Sequence, residues 1–211
     1  MKRTVFATAV ALSLSLVSVA ATASSSGAFV RFEGARANYD IDSAQHDGKS
    51  ARAFGVTAGY RWQLSKPLAF GIEAGYMNLG TVKDQFDGVL YKDNGSRQAV
   101  TIRSELGTRS FLFGPTVRWN MSPAWSLTGR LGIAHARTRV VDRIDAGGTS
   151  RSHRNTLVRN TAYAGVGVGY AVTSNIDLGL NVTHYSASGR GYSVNEDVNT
   201  NVVGASVEVR F

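Results

Sequence analysis

Three groups of residues in this chain have the types and spacing to do chemistry. His184-Tyr185-Ser186 sets an imidazole and a hydroxyl two residues apart, which on a β-strand puts both on one face. A base beside a hydroxyl is the pairing from which an activated nucleophile is made. The second group is a set of charges of both signs: Glu33, Glu73 and Arg130, with Arg31, Arg61, Arg118, Asp177, Glu208 and Arg210. They interrupt segments otherwise built from glycine and apolar residues, so they either line a polar conduit or neutralise one another inside a filled interior. The third is an arginine run, Arg137, Arg139, Arg143, Arg151, Arg154 and Arg159, answered only by Asp142 and Asp145, with His153 among them. Guanidinium groups match phosphate bidentately, so this segment points to polyanion contact. Metal chemistry has no basis in the sequence. There is no cysteine, and His46, His135, His153 and His184 lie far apart without ligand spacing. No cofactor is expected.

The elements that must hold these groups depend on the solvent, and the N-terminus decides it. Lys2 and Arg3 precede an apolar stretch from Val5 to Ala20, and Ala21-Thr22-Ala23 follows as a small-x-small cleavage pattern. The stretch is short of the ~20 residues a membrane-spanning helix needs. Residues 1–23 read as a secretory signal peptide cut after Ala23, and 24–211 as one exported domain. Without Lys2 and Arg3 the formal charge falls from +8 to +6. An exported basic protein is not expected to meet nucleic acid. Lipopolysaccharide phosphates and other surface or host polyanions are the expected partners.

From Gly27 onward the hydrophobic pattern has period two. Phe54, Val56, Ala58, Tyr60 and Trp62 fall on one face, and Gly55, Thr57, Gly59 and Arg61 on the other. The same alternation marks 28–39, 68–79, 110–119, 125–137, 161–172, 176–185 and 202–211, which makes eight strands. Their connections are short at 65–67, 120–123 and 173–175, and long at roughly 40–51, 80–102, 138–158 and 186–200. Short periplasmic turns and long outer loops are what an outer-membrane barrel shows. Tyr60, Trp62, Trp119, Trp125, Tyr170 and Phe211 all fall on the apolar face beside the short turns or the C-terminus, as an interfacial girdle would. The expected fold is all-β: an eight-stranded antiparallel up-and-down transmembrane β-barrel in the outer membrane, both termini periplasmic. Pro115, on the apolar face of the fourth strand, should need a bulge.

Local motifs then become recognisable. Gly75-Tyr76-Met77-Asn78-Leu79-Gly80 resembles the end of the third strand in the OmpA transmembrane domain. Ser126-Leu127-Thr128-Gly129-Arg130-Leu131-Gly132 resembles that family's fifth strand. The tail from Val203-Gly204-Ala205 to Val209-Arg210-Phe211 looks like the last strand of OmpA and OmpX–Ail barrels. The resemblance implies the barrel fold, and it implies that Phe211 belongs to the signal read by the barrel-assembly machinery. His184-Tyr185-Ser186 is also similar to the His-x-Ser pair of the PagL lipid A deacylases. That likeness would make Glu196 the third member, orienting His184 while it activates Ser186. The Asn-rich segment after Ser186 departs from the deacylase pattern, and a histidine beside a tyrosine is ordinary girdle composition. The chain is therefore expected not to be an enzyme.

For the lumen, a plug is preferred to a narrow passive pore, because an eight-strand interior is only wide enough for side chains. Glu33, Glu73 and Arg130 should lie near mid-height, with Arg31, Arg61, Arg118, Asp177, Glu208 and Arg210 nearer the periplasm. The expected function is a structural and surface-interaction role, as a monomer.

Overall fold

Alternation of apolar and polar residues leaves each strand with one face that water rejects and one that lipid would reject, and closing the sheet satisfies both. The computed structural model describes residues 26–40, 49–91, 97–146, 149–187 and 198–211. Residues 1–23, read above as a signal peptide, His46 and Glu196 lie outside the described residues. Eight strands follow one another: β1 (Gly27–Asp40), β2 (Lys49–Ser65), β3 (Leu68–Tyr91), β4 (Arg97–Asn120), β5 (Trp125–Ala146), β6 (Thr149–Ala171), β7 (Ile176–Ala187) and β8 (Val198–Arg210). Each pairs antiparallel with the next, and β8 returns to β1 to close the ring. From Phe32, the register partners one way round are Val56, Tyr76, Phe111, His135 and Asn160. The other way they are Val207, Leu178 and Tyr170, so the ring closes with a stagger of ten residues on β6. That stagger tilts eight strands by about 40°.

The faces sort as the alternation requires. Phe54, Phe111, Phe113, Leu131, Ile133, Val166 and Leu180 point outward and are more than half exposed, while Arg31, Glu33, Arg61, Glu73, Arg130 and Glu208 point inward and are buried. So much exposed apolar surface has no place in water. At the short-turn end the outward aromatics pack in pairs, Tyr60 with Trp62 and Trp125 with Tyr170, their ring centroids 5.1 and 5.0 Å apart.

Two of the long connections are largely strand. Strands β3 and β4 continue to Tyr91 and from Arg97, and β5 and β6 to Ala146 and from Thr149. Residues 80–91, 97–102, 138–146 and 149–158 therefore form a four-stranded sheet that stands beyond the ring on one side. One face carries Val82, Phe86, Ile102, Leu106, Val140 and Ile144, interrupted by Asp84, Ser104 and Asp142, so the apolar alternation is broken although the ladder continues.

A one-residue bulge between Asn78 and Thr81 separates that sheet from the ring. Gly80 sits there at φ 83°, its N–H held by Asn78 Oδ1 at 2.9 Å, and a Cβ would strike the Arg52 carbonyl. The extra residue reverses the facing of β3, so Val82 turns inward to pack on the core. At Pro115, by contrast, no bulge forms. The β4–β5 register is the same on either side, from Phe113↔Ile133 to Thr116↔Arg130; only the pairs at Gly114 and Pro115 drop out. On the other side Pro115 keeps its partner Ile72. The missing N–H is accommodated by a gap in one ladder.

The inward face also carries an apolar layer. Ala37, Tyr39, Ala51, Ala53, Met77, Leu79, Leu112, Ala134, Tyr163, Tyr185 and Val202 form one buried cluster with at least one residue from every strand. It crosses the lumen as a septum, with the charged interior on its short-turn side.

Candidate functional site

The charges between septum and short turns fall into two joined layers. In the layer beside the turns, Glu208 on β8 accepts from three arginines on three strands. Arg31 donates Nε and Nη2 at 3.0 and 2.7 Å, Arg61 donates Nη2 at 3.0 Å and also Nη1, and Arg118 donates Nη1 at 3.1 Å. Arg118 also meets Asp177 at 2.7 Å, and Arg210 donates to Asp177 at 3.0 Å. The Phe29 ring lies under the Arg61 guanidinium, 3.7 Å from its centroid. The ring fits because residue 59 is glycine; a Cβ there would collide with it and with the Ile72 carbonyl.

The mid-height layer is smaller. Arg130 donates Nη2 to Glu33 at 3.1 Å and to Thr183 at 2.6 Å, and the Tyr163 hydroxyl donates to Glu73 at 3.3 Å. Arg31 links the layers, 3.7 Å from Glu73. Every charged side chain between the septum and the short turns thus has a partner, with Glu33, Glu73 and Arg130 in the mid-height layer and Arg31, Arg61, Arg118, Asp177, Glu208 and Arg210 in the layer beside the turns. Thr183, Tyr163 and Phe29 complete the layers without a charge to mark them. With the septum above, the geometry is a paired filling rather than an open path.

The arginine run divides between two faces. On β4 and β5 the outward rows leave the apolar band at Phe111 and Ile133 and become polar at once: Arg109, Gly107 and Glu105 on one, His135, Arg137 and Arg139 on the other. Arg109, Arg137, Arg139 and Arg154 border one shallow depression with Glu105. Arg143 continues the outward row, opposite Arg103 in register, and Arg103 is held by Asp145 at 3.1 Å. Arg151 and Arg159 have the other parity. Reading 138–158 as a loop treats these arginines as one cluster; strand alternation separates them and adds Arg109.

His184 and Ser186 both face outward and are exposed, as their spacing predicts. The imidazole Nδ1 is engaged by Asn201 Oδ1 on β8 at 2.8 Å, and no hydrogen bond joins His184 to Ser186 among the described residues. His135 makes the same contact with Asn160 at 2.7 Å. Both outward histidines are thus held alike by a cross-strand asparagine. Among the described residues no group of acidic or histidine side chains is arranged to hold a metal ion.

The family described as outer membrane protein beta-barrel domain matches residues 9–211. The chain belongs to that family. It is an outer-membrane β-barrel of a Gram-negative bacterium, and its outward apolar band faces lipid. Among solved structures it is similar to Ail, the attachment invasion locus protein of Yersinia pestis, at 16% identity over 86% of this chain and 98% of that one, TM-score 0.48. It is similar to Neisserial surface protein A at 18% identity over 88% and 97%, TM-score 0.44. OprG of Pseudomonas aeruginosa matches at 12% identity over 88% and 97%, TM-score 0.46. No curated protein matches the chain.

Proposed function

We propose that this barrel is a structural and surface-contact protein whose basic outer stem binds the phosphates of lipopolysaccharide, and that it catalyses nothing. One observation carries the reading. Arg109, Arg137, Arg139 and Arg154 share the outward face immediately beyond the apolar band, at the depth where an outer-leaflet glycolipid holds its phosphates. Exposed guanidinium groups at such a boundary can bind a phosphate bidentately while the acyl chains lie on the apolar band below. On this reading the long hairpins are extracellular and the short turns and both termini periplasmic. The leader is cut after Ala23, Phe211 is the residue that the assembly machinery engages, and the barrel works as a monomer.

The test is binding of the reconstituted barrel to lipopolysaccharide and to the same glycolipid with its phosphates removed. The expected result is phosphate-dependent, salt-sensitive binding that falls about tenfold or more in the Arg139→Gln/Arg154→Gln double variant. Equal binding by wild type and variant would overturn the reading. Mass spectrometry of lipid A from cells with wild-type protein, Ser186→Ala or none checks the non-catalytic half. Three identical spectra are expected; acylation that depends on Ser186 would make His184 its base.

A further inference from the structure

On the hairpin side of the septum the lumen opens into a cup of about 230 Å³. Its wall is mainly apolar, with Leu79, Leu106, Ala136, Val140 and Leu157 interleaved by threonines of which Thr108 and Thr138 bond each other and Thr161 donates to the Ala134 carbonyl. At its floor are the Ser110 hydroxyl and the Tyr185 hydroxyl, on side chains only 1% and 4% exposed, and neither has a hydrogen-bond partner among the described residues. A buried hydroxyl without a partner is costly, and natural interiors rarely keep one without a reason. Part-way up the wall is Arg159, which has no hydrogen bond or ion pair among the described residues. Ser110, Ala136 and Arg159 are direct register partners across β4, β5 and β6. One row therefore presents a hydroxyl, a methyl and a guanidinium, with space over the methyl. An apolar enclosure with a few convergent polar groups is the form of a small-molecule site.

We propose that this cup binds a small organic acid with an apolar body, an aryl or short-alkyl carboxylate. The carboxylate lies over Ala136 and accepts from Arg159 and from the Ser110 and Tyr185 hydroxyls. The body rests on Leu106, Val140 and Leu157 toward the mouth. A single cation flanked by two hydroxyl donors suits a monoanion, and the apolar wall selects against sugars and free inorganic ions. The site is independent of the lipopolysaccharide reading, because alternation puts Ala136 and Val140 on the opposite face of β5 from Arg137 and Arg139.

The experiment is calorimetry on the barrel in lipid nanodiscs, with empty nanodiscs subtracted, using phenylbutyrate as probe and phenylbutanol and phenylbutylamine as matched controls. Saturable one-site binding of the acid is expected, at least about tenfold tighter than the alcohol or amine. Arg159→Gln should remove that preference, and Ala136→Phe, which fills the cup, should abolish binding of all three. Three results each overturn the proposal: no saturable heat above empty nanodiscs, a preference that survives Arg159→Gln, or wild-type binding by Ala136→Phe. Should a variant fail to form a barrel, amide shifts of the wild-type protein decide. Acid-induced changes centred on Ser110, Ala136 and Tyr185 support the site, and changes confined elsewhere overturn it.

Discussion

On the short-turn side of the septum, five arginines face four carboxylates and each charged side chain has found at least one partner. On the hairpin side the wall is mostly leucine, valine and alanine with threonines between them, and two hydroxyls and a guanidinium have no partner among the described residues. The same eight strands build both ends. What differs is whether polar groups are satisfied by the chain itself. The first end is closed by its own pairing, so removing a member leaves buried charge exposed to low dielectric. At the second, unsatisfied donors stand in an apolar space, so a ligand can supply what the fold does not.

The largest expected effect comes from removing the acceptor at the centre of the closed end. Glu208→Ala would strand Arg61 and leave Arg31 and Arg118 only Glu73 and Asp177, and should lower stability by about 3–5 kcal/mol in urea unfolding of the bilayer-embedded protein. A loss below about 1 kcal/mol would mean that the cluster is not structural, and the contrast between the ends would fail. Next is Gly80→Ala, which puts a side chain into the left-handed backbone of the bulge and against the Arg52 carbonyl. A cost of about 2 kcal/mol is expected, with exchange of the amides in 81–91 rising more than in the ring. Uniform exchange across β3 would show that the bulge does not set the facing of the outer sheet.

Filling the open end should matter least to the fold. Ala136→Phe is expected to change stability by no more than about 1 kcal/mol, in contrast to the loss at Glu208, while it removes acid binding. A larger loss would show that the cup is packed more tightly than its volume implies.

The smallest effect lies in the outer sheet. A hydrogen bond from Lys83, at 2.7 Å, holds the exposed Glu105 carboxyl below its ordinary range, and hydrogen bonds from Thr101 and then Gln85 do so for Asp87. A lowered folded value means that the contribution is present above the unfolded carboxylate range and is lost as pH falls through the folded value. Both groups are exposed, so the effect is slight. Acidification from neutrality to below about pH 4 should lower amide protection, measured against the intrinsic exchange rate at each pH, in 83–87 and 101–105 without touching the ring. Protection in those segments that does not respond to pH would remove these pairs from the account of the outer sheet.

The ring and the paired layers were legible in the sequence because lipid outside and charge inside make a strong period-two contrast. Residues 54–62 show it without ambiguity, and parity together with strand direction suffices to put Glu33, Glu73 and Arg130 on one level. The outer sheet lacks that contrast. Between Thr81 and Tyr91 one face sets Val82 and Phe86 beside Asp84 and Gly88 while the other carries Lys83, Gln85 and Asp87, so the contrast between faces is too weak to separate a ladder from a loop. Once 138–158 is read as a loop, alternation is no longer applied to it, and Arg151 and Arg159 stay grouped with arginines that face the other way. Arg109 escapes notice because it stands alone at the end of a strand. The septum is hidden for another reason. Ala37, Ala53 and Ala134 are small enough for either face, and only closure of the ring shows that they meet. At Pro115 a bulge is the expected remedy, whereas dropping two pairs from one ladder is enough.

The seam between β1 and β8 has a consequence in time. The Phe211 N–H donates to the Ala28 carbonyl at 2.9 Å, and the ladder between these strands runs from Phe29↔Arg210 to Asp40↔Asn199. The first strand to leave the ribosome therefore waits for the last before it has a second neighbour. Until then both its edge and that of β8 are unpaired, and hydrocarbon tolerates neither. A closure joining opposite ends of the sequence is also the slowest kind of contact to find. The nascent chain must therefore be kept from both lipid and its own edges until it is whole, and membrane insertion and ring closure then become a single late event.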